Sequence, residues 1–375
     1  MDFSYSDDQL ALFGLAQQIL IDKASHARVK QIEKSGGPRF DRELWSELAK
    51  AGLLGAALPV EHGGSGLGFL EVTGIAEQIG RATAPVPYFE TIVLGALAIA
   101  EFGSAAQREQ MLPRVARGEL ILSAALTEAA AAPLDPPQTR AQRNGGQWTV
   151  SGTKMNVPAG QLAERILLPA STGDGEVVLL LLDPKQAGVT ITELDTTSGQ
   201  PEARIDLHNT SMAATEMLGA AGQGSEIVAW IEQRATAALC ATALGVCTRA
   251  LELTAEYLKT RKQFDQPIGM FQAAGHRAAD AYIDTEGVRL TAMQAAWRIA
   301  AGLPAEKQVH VAKCWAADGG KRVVHAAQHL HGGIGVDRDY PLHRYFLYAR
   351  QLELTLGGAT HHYRALGALL ANEPM

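Results

Sequence analysis

The sequence is poor in cysteine, with three among 375 residues. Cys240, Cys247 and Cys314 are odd in number and lie within apolar, helix-like patterns. Such positions are typical of buried thiols and not of disulfides or metal ligands. A chain without a disulfide framework is typical of a reducing compartment, and we expect a cytoplasmic protein.

The sequence also lacks a basic stripe and a long apolar run. Its net charge is −7, and lysine and arginine are spread along the chain, so we expect neither nucleic acid nor a membrane as partner. The longest apolar runs, Thr91–Ala100 and Ala235–Cys247, fall short of the roughly 20 residues that a membrane span needs. The acidic start lacks the basic and apolar regions of a secretory signal. The remaining partner classes are a small molecule and another protein.

The order of periodic patterns predicts a mainly helical α+β protein in three parts. Helical periods cover residues 1–118, short aliphatic and β-branched runs cover 119–222, and helices return over 223–375. We expect an N-terminal helical domain, a middle antiparallel β-sandwich or barrel and a C-terminal helical bundle. The predicted strands are 148–152, 165–168, 177–182, 189–192 and 204–207.

The segment Tyr257–Gln272 combines a cation, an aromatic ring and an amide at the end of a predicted helix. Pro267 ends the helical pattern. Arg261 can bind two oxygens of an anion, Phe264 offers a ring face, and Gln272 offers a donor and an acceptor. This set suits a pyrophosphate with a purine attached. The alternative is an ordinary helix C-terminus, where basic residues favour the helix dipole without any ligand.

The order of residues in this segment resembles the C-terminal domain of flavin-dependent acyl-CoA dehydrogenases. The matching residues are Arg261, Phe264, Ile268, Phe271 and Gln272, followed by Gln328–Gly335. The resemblance covers essentially the whole chain and implies the acyl-CoA dehydrogenase fold with FAD as cofactor. It implies that six residues contact the ADP half of FAD: Arg261, Phe264, Gln272, Gln328, Gly332 and Gly333.

The segments with which the family holds its flavin ring are altered. The family's Thr-Glu remains as Thr127-Glu128, but Ala129–Pro137 replaces the Gly-Ser-Asp loop that follows it. Ser151–Lys154 resembles the family's Asn-Gly-x-Lys turn, yet Asn156–Pro158 stands where a flavin-contacting Trp-Ile-Thr belongs. The resemblance therefore implies a degraded ring site in this chain.

The position of the family's catalytic base is also altered. Dehydrogenation needs a carboxylate that removes the α-proton of the substrate. By spacing from Tyr340-Pro341 this position is Leu356, and the family's alternative base maps to Ala235. Glu353 and Glu232 lie about one helical turn, roughly 5 Å, from these positions, so neither carboxylate stands at the place of the base. We expect no catalytic residue in this chain.

The resemblance therefore implies half of a shared site. The family's Thr and Gln that hold FAD within the same subunit correspond to Gly358 and Thr360. The retained residues are those that reach a neighbour's FAD. We expect the non-catalytic subunit of a heteromeric, α2β2 acyl-CoA dehydrogenase for steroid side-chain CoA thioesters, inactive alone. A homologous partner would carry the catalytic glutamate and bind most of the acyl-CoA.

Two other functions stay open from the sequence. One is a self-sufficient homotetramer whose base is Glu353, and the other is a structural homo-oligomer without FAD. The histidine pairs His329/His331 and His361/His362 lack the i, i+4 spacing of a metal site, so we expect solvated or hydrogen-bonded core histidines and no metal.

Overall fold

A computed structural model describes residues 4–129, 136–173 and 175–372. The chain forms two compact units, each made of separate stretches of sequence. The first contains the chain up to Lys30, Phe69–Ala84 and the chain from Thr236, and the second contains Gln31–Gly68 and Pro85–Ala235. The three-part division with boundaries after residues 118 and 222 stays a prediction.

Helices dominate both ends of the chain, and strands occupy its middle. The α-helices are α1 (Asp7–Lys23), α2 (His26–Glu33), α3 (Arg42–Lys50), α4 (Phe69–Ala82), α5 (Leu97–Phe102), α6 (Ala105–Ala116), α7 (Gly224–Thr260), α8 (Gln272–Ala300), α9 (Glu306–Cys314), α10 (Gly320–His331), α11 (Leu342–Leu354) and α12 (Ala359–Ala371). The strands are β1 (Leu122–Ala124), β2 (Arg140–Asn144), β3 (Gln147–Pro158), β4 (Arg165–Ser171), β5 (Val177–Leu182), β6 (Val189–Leu194), β7 (Glu202–Ala213), β8 (Lys262–Gln263) and β9 (Gln266–Pro267). The order of helices, sheet and helices is confirmed.

The first seven strands form one sheet in the second unit. Its order is β1-β4-β2-β3-β7-β6, with β5 paired to β4. Each of the five predicted strands lies within one of β3 to β7. All six residues of β5 are buried, whereas β6 at the edge is partly exposed. A continuous apolar run therefore marks a strand covered on both faces, and an alternating run marks a strand with one face toward solvent.

The sheet is mixed, so the expectation of a wholly antiparallel domain was wrong in this respect. Strand β4 runs parallel to β1 and to β2, while the other pairs are antiparallel. The chain reverses its direction between β2 and β3 and again between β3 and β4, so β4 runs in the direction of β2. Turn residues report the hairpins between consecutive strands, but they carry no signal for pairs between distant strands.

Helix α7 is the longest helix described and is mostly buried. By length and composition it could cross a membrane, with mean hydropathy 1.3, but 78% of that window lies inside the protein. Within the first unit it packs tightly against α4. A Cβ atom built at Gly245 would lie 1.9 Å from the Glu77 carbonyl oxygen, and one at Gly80 would lie 2.1 Å from that of Thr242. Only glycine permits this approach.

The three cysteines are buried and free, which confirms the prediction of core thiols. Burial raises the pKa of Cys240 and Cys247 to about 12 and that of Cys314 to about 11. Such thiols are protonated at neutral pH and are therefore poor nucleophiles.

Candidate functional site

The chain reverses direction directly after α7, and this reversal exposes Arg261. The Arg261 amide closes the helix on the Tyr257 carbonyl at 2.9 Å, and the Arg261 carbonyl accepts from the Ile268 amide at 2.9 Å. Strands β8 and β9 pair between these two points. The break predicted at Pro267 therefore contains a short hairpin, and the Arg261 side chain is exposed at its base.

Phe264 lies at the tip of this hairpin with an unusual backbone conformation. Its φ is 54° and that of Asp265 is 61°, as a two-residue hairpin loop requires. A bulky residue in this region is strained. The Phe264 ring is 88% exposed, and its edge contacts Phe271 with ring centroids 6.2 Å apart. The hairpin thus holds an aromatic face toward solvent, while Gln272 begins α8 as an exposed side chain.

The second segment lies at the end of α10 and exposes its backbone. Gln328 is half-buried, and Gly332 and Gly333 are exposed. Gly332 has φ 64° and ψ −140°, a conformation that favours glycine. A Cβ atom built at either glycine would meet no atom of the described residues within 4 Å. A ligand could therefore approach the backbone closely here.

A ring stack brings the two segments side by side. Tyr257 and His331 lie parallel, with centroids 4.5 Å apart and an interplanar angle of 19°. His331 is buried; its Nδ1 bonds to the Ala327 carbonyl at 2.8 Å and its Nε2 to the Tyr340 hydroxyl at 3.1 Å. Burial lowers the pKa of His331, which favours the neutral ring. This confirms a hydrogen-bonded core histidine.

We call the set Arg261, Phe264, Gln272, Gln328, Gly332 and Gly333 the cation–amide surface. The structure joins its two segments through Tyr257 and His331, which the sequence analysis missed. The available signal was their position next to the motifs, since Tyr257 lies one helical turn before Arg261 and His331 directly precedes Gly332.

The two positions that the family resemblance assigns to the base are apolar in the structure. Leu356 lies between α11 and α12, half-buried, with φ 57°. Ala235 lies on α7 and is fully buried. The carboxylate of Glu353 forms a short ion pair with Arg350, and Glu232 is buried on α7. The ion pair with Arg350 gives the Glu353 carboxylate a structural partner that requires no catalytic role.

A buried ion pair organises the middle of the sheet. Lys154 Nζ donates to Glu128 Oε1 at 2.6 Å, and both side chains are almost fully buried. The same carboxylate accepts from the Thr139 hydroxyl at 2.7 Å and from the Gln138 amide at 2.6 Å. Burial acts to raise the pKa of Glu128, but Lys154 and Thr139 outweigh it and the pKa is lowered. Burial lowers the pKa of Lys154, and Glu128 opposes this. The Glu128 carboxylate, directly before the substituted loop, thereby bonds to Gln138 and Thr139, directly after it.

The residue at the position that the family resemblance assigns to the flavin-contacting tryptophan is an exposed asparagine. Asn156 lies in a bulge of β3, with φ 49°, and its side chain donates to Glu202 at 2.9 Å. Pro158 ends β3, and its carbonyl accepts from the Ser123 hydroxyl. Of the substituted loop Ala129–Pro137, residues 130–135 lie outside the described residues. No aromatic ring stands at position 156, as the sequence already indicated.

Comparison with known proteins decides the family. The sequence pattern of the acyl-CoA dehydrogenase C-terminal domain matches residues 211–367, and that of the N-terminal domain matches residues 6–119. Acyl-CoA dehydrogenase FadE27 of Mycobacterium tuberculosis is 40% identical over 384 aligned residues, covering 100% of each chain. The chain belongs to the acyl-CoA dehydrogenase family. This is a family of flavoprotein oxidoreductases.

Solved structures of other proteins share the fold over nearly the whole chain. A chain of the ChsE4–ChsE5 complex from Mycobacterium tuberculosis superposes with a TM-score of 0.94 at 40% identity, covering 100% of each chain. A variant of the Tcur3481–Tcur3483 steroid ACAD gives 0.90 at 43% identity, covering 97% of this chain and 98% of that one. Butyryl-CoA dehydrogenase of Megasphaera elsdenii gives 0.91 at 26%, covering 99% and 100%.

The part of the chain that the structure describes contains no candidate set of metal ligands. No group of three or more His, Cys, Asp or Glu side chains there could hold a metal ion. The candidate site of this acyl-CoA dehydrogenase family member consists of the cation–amide surface and the turn that contains Leu356.

Proposed function

We propose that this chain is the non-catalytic subunit of a heteromeric, α2β2 acyl-CoA dehydrogenase. The reaction is α,β-dehydrogenation of a steroid side-chain CoA thioester. In this proposal a homologous partner carries the catalytic glutamate, seats FAD and binds most of the acyl-CoA. This chain contributes the cation–amide surface to the ADP half of that FAD.

The observation that carries the proposal is the apolar character of both base positions. Leu356 and the buried Ala235 cannot accept a proton, and α-proton removal requires a positioned base. Glu353, the base of the homotetramer alternative, is held by Arg350. The division of labour between two subunits accounts for a chain that keeps the fold and lacks the base.

The residues of the cation–amide surface fit an adenosine diphosphate group. A guanidinium can bind two phosphate oxygens, an exposed ring can contact a purine, and glutamine amides can hydrogen-bond to its edge. When bound, FAD supplies the acceptor for the hydride released by the acyl chain. The exposure of Arg261, Phe264 and Gln272 supports a ligand that lies outside this chain's own core.

Two similar structures support the heteromeric assembly. ChsE4–ChsE5 and Tcur3481–Tcur3483 each combine two differently named proteins, and the second is a steroid ACAD. By similarity we assign this chain an equivalent partner and substrate class.

A carboxylate installed at the base position should not create activity in the isolated chain. Leu356→Glu provides a proton acceptor, but the altered ring site at Asn156 and Pro158 leaves no seated hydride acceptor beside it. We expect no acyl-CoA oxidation by the purified variant in an assay with an artificial electron acceptor. Turnover by this single variant would support the homotetramer alternative, and the wild-type chain is the matched control.

Removal of the Arg261 guanidinium should weaken FAD binding by the complex. Charge-assisted hydrogen bonds contribute about 1.5–3 kcal/mol, so Arg261→Ala should raise the dissociation constant of FAD roughly ten- to a hundredfold. Arg261→Lys should recover only part of this, because a point charge lacks the planar fork. The measurement is FAD titration into the flavin-stripped complex.

The matched control for Arg261 is Lys259→Ala, which removes an exposed charge from the same helix end. We expect its FAD affinity to equal that of the wild type. Equal affinities for wild type and Arg261→Ala would assign Arg261 to the helix dipole alone.

A further inference from the structure

The turn Thr355–Gly358 is held in a conformation that leucine disfavours. Leu356 has φ 57°, and the following Gly357 has φ 94°. A non-glycine residue in the left-handed region is strained and persists where its surroundings determine it. The turn lies between α11 and α12, at the family base position. Contacts from the surrounding helices must therefore hold it.

A buried histidine pair supplies one such contact. His362 of α12 bonds through Nε2 to the Leu356 carbonyl at 3.0 Å, and its Nδ1 lies 2.8 Å from Nδ1 of His310 on α9. A carbonyl only accepts, so Nε2 of His362 carries the proton. In a neutral ring the Nδ1 then accepts, and His310 must donate from its own Nδ1. The hydrogen bonds thus run from His310 to His362 to the turn.

Lys313 holds the other side of the same turn. It is 1% exposed, and its Nζ donates to the carbonyls of Leu352 and Glu353, the latter at 3.3 Å. These carbonyls end α11, where a cation is favoured by the helix dipole. Lys313 follows His310 by three residues, so both point from one face of α9.

The structure assigns His310 and His362 as positioning residues that hold the strained turn in their neutral forms. One ring orients the next, and the second ring fixes the Leu356 carbonyl. A proton added to His362 Nδ1 would place two N–H groups against each other, so this arrangement of hydrogen bonds requires a neutral His362. This role goes beyond the proposed function and does not depend on a partner subunit or on FAD.

The groups that face the pair favour its neutral form. Burial lowers the pKa of His310, which Glu306 opposes and His361 reinforces. Burial also lowers the pKa of His362 to about 3; the bond to Leu356 opposes this, while Lys313, His310 and His361 reinforce it. The carboxylate of Glu353 is paired with Arg350 at the end of α11.

The pH dependence follows from the direction of these shifts. A folded-state pKa below the ordinary value means that the closed turn binds fewer protons than the open one. The stabilisation of the turn is therefore complete above about pH 6.5 and is lost progressively toward about pH 3. Opening of the turn should increase as the solution is acidified.

Hydrogen exchange of the turn amides in the full chain tests the assignment. Between about pH 7.5 and about pH 5 the protection of the Thr355 and Gly357 amides, which donate to the Gln351 and Leu354 carbonyls, should fall roughly thirtyfold for one proton taken up, after correction for intrinsic exchange. His362→Gln keeps an N–H donor that does not titrate, so protection should persist at low pH. The control His276→Gln, at an exposed histidine on α8, should follow the wild type. Equal wild-type protection at both pH values would overturn the assignment.

A second pair of variants separates turn positioning from general packing. His362→Leu should cost much of the protection when Leu356 is present. In a Leu356→Gly background its effect should be at least severalfold smaller, because glycine adopts a positive φ without help. Equal effects in both backgrounds would contradict the assignment. Ring ¹⁵N shifts should show protonated Nδ1 in His310 and protonated Nε2 in His362; the reverse tautomers would also overturn it.

Discussion

Lys154→Met should lower the free energy of unfolding by about 3–5 kcal/mol, because it leaves a buried carboxylate without its counter-charge. The Lys154 side chain is 0% exposed and that of Glu128 is 5% exposed, with 2.6 Å between Nζ and Oε1. The hydroxyl of Thr139 and the amide of Gln138 bond to the same carboxylate, but neither carries a positive charge. The measurement is urea unfolding, read as a lower midpoint at unchanged slope.

The double variant Glu128→Gln, Lys154→Met should recover most of this loss, because no buried charge remains. The exposed pair Arg117 and Glu119 provides the matched control, and Arg117→Met should have a much smaller effect. Equal losses in the free energy of unfolding for Lys154→Met and Arg117→Met would show that the stability of the sheet does not depend on its buried ion pair.

The same pair predicts acid sensitivity. The folded-state pKa of Glu128 is lowered, so its stabilisation is present above the ordinary carboxyl pKa and is lost as pH falls through the folded value. The double variant should lose that part of the acid dependence.

Local patterns predicted the fold well where the period of the sequence was clear. Asp41 is of a residue type that favours helix starts, and its side chain accepts from the amides of Glu43 and Leu44 at the start of α3. The continuous apolar run of β5 and the helical periods at both ends were equally informative. The parallel pairing of β4 with β1 and β2 was not, because strands distant in sequence leave no turn signal.

The site was predictable only where a motif is contiguous. Arg261 and Phe264 share one segment, and the structure places them on one exposed hairpin. The contacts that the sequence analysis missed join residues far apart in the chain: Tyr257 with His331, His310 with His362, and Glu128 with Lys154. Each residue alone is ordinary in its local pattern, so only tertiary structure pairs them.

The isolated chain should bind little or no FAD, whereas the complex with its partner should bind FAD fully. The exposed cation–amide surface provides for an ADP half, but Asn156 and Pro158 stand where the family places its flavin-contacting residues. The isolated chain does not seat the flavin ring, and the FAD that its ADP-side residues would contact is seated in the absent partner.

Flavin content measured together with acyl-CoA oxidation is the most direct test of the two-subunit proposal. The chain is purified alone and after co-production with a homologous subunit that carries the catalytic glutamate, and both samples are assayed for flavin absorbance and for oxidation of a steroid side-chain CoA thioester. The proposal predicts a colourless, inactive isolated chain and an active complex with about one FAD per heterodimer, the stoichiometry of a site seated in one subunit. Stoichiometric flavin and acyl-CoA oxidation in the isolated chain would contradict it.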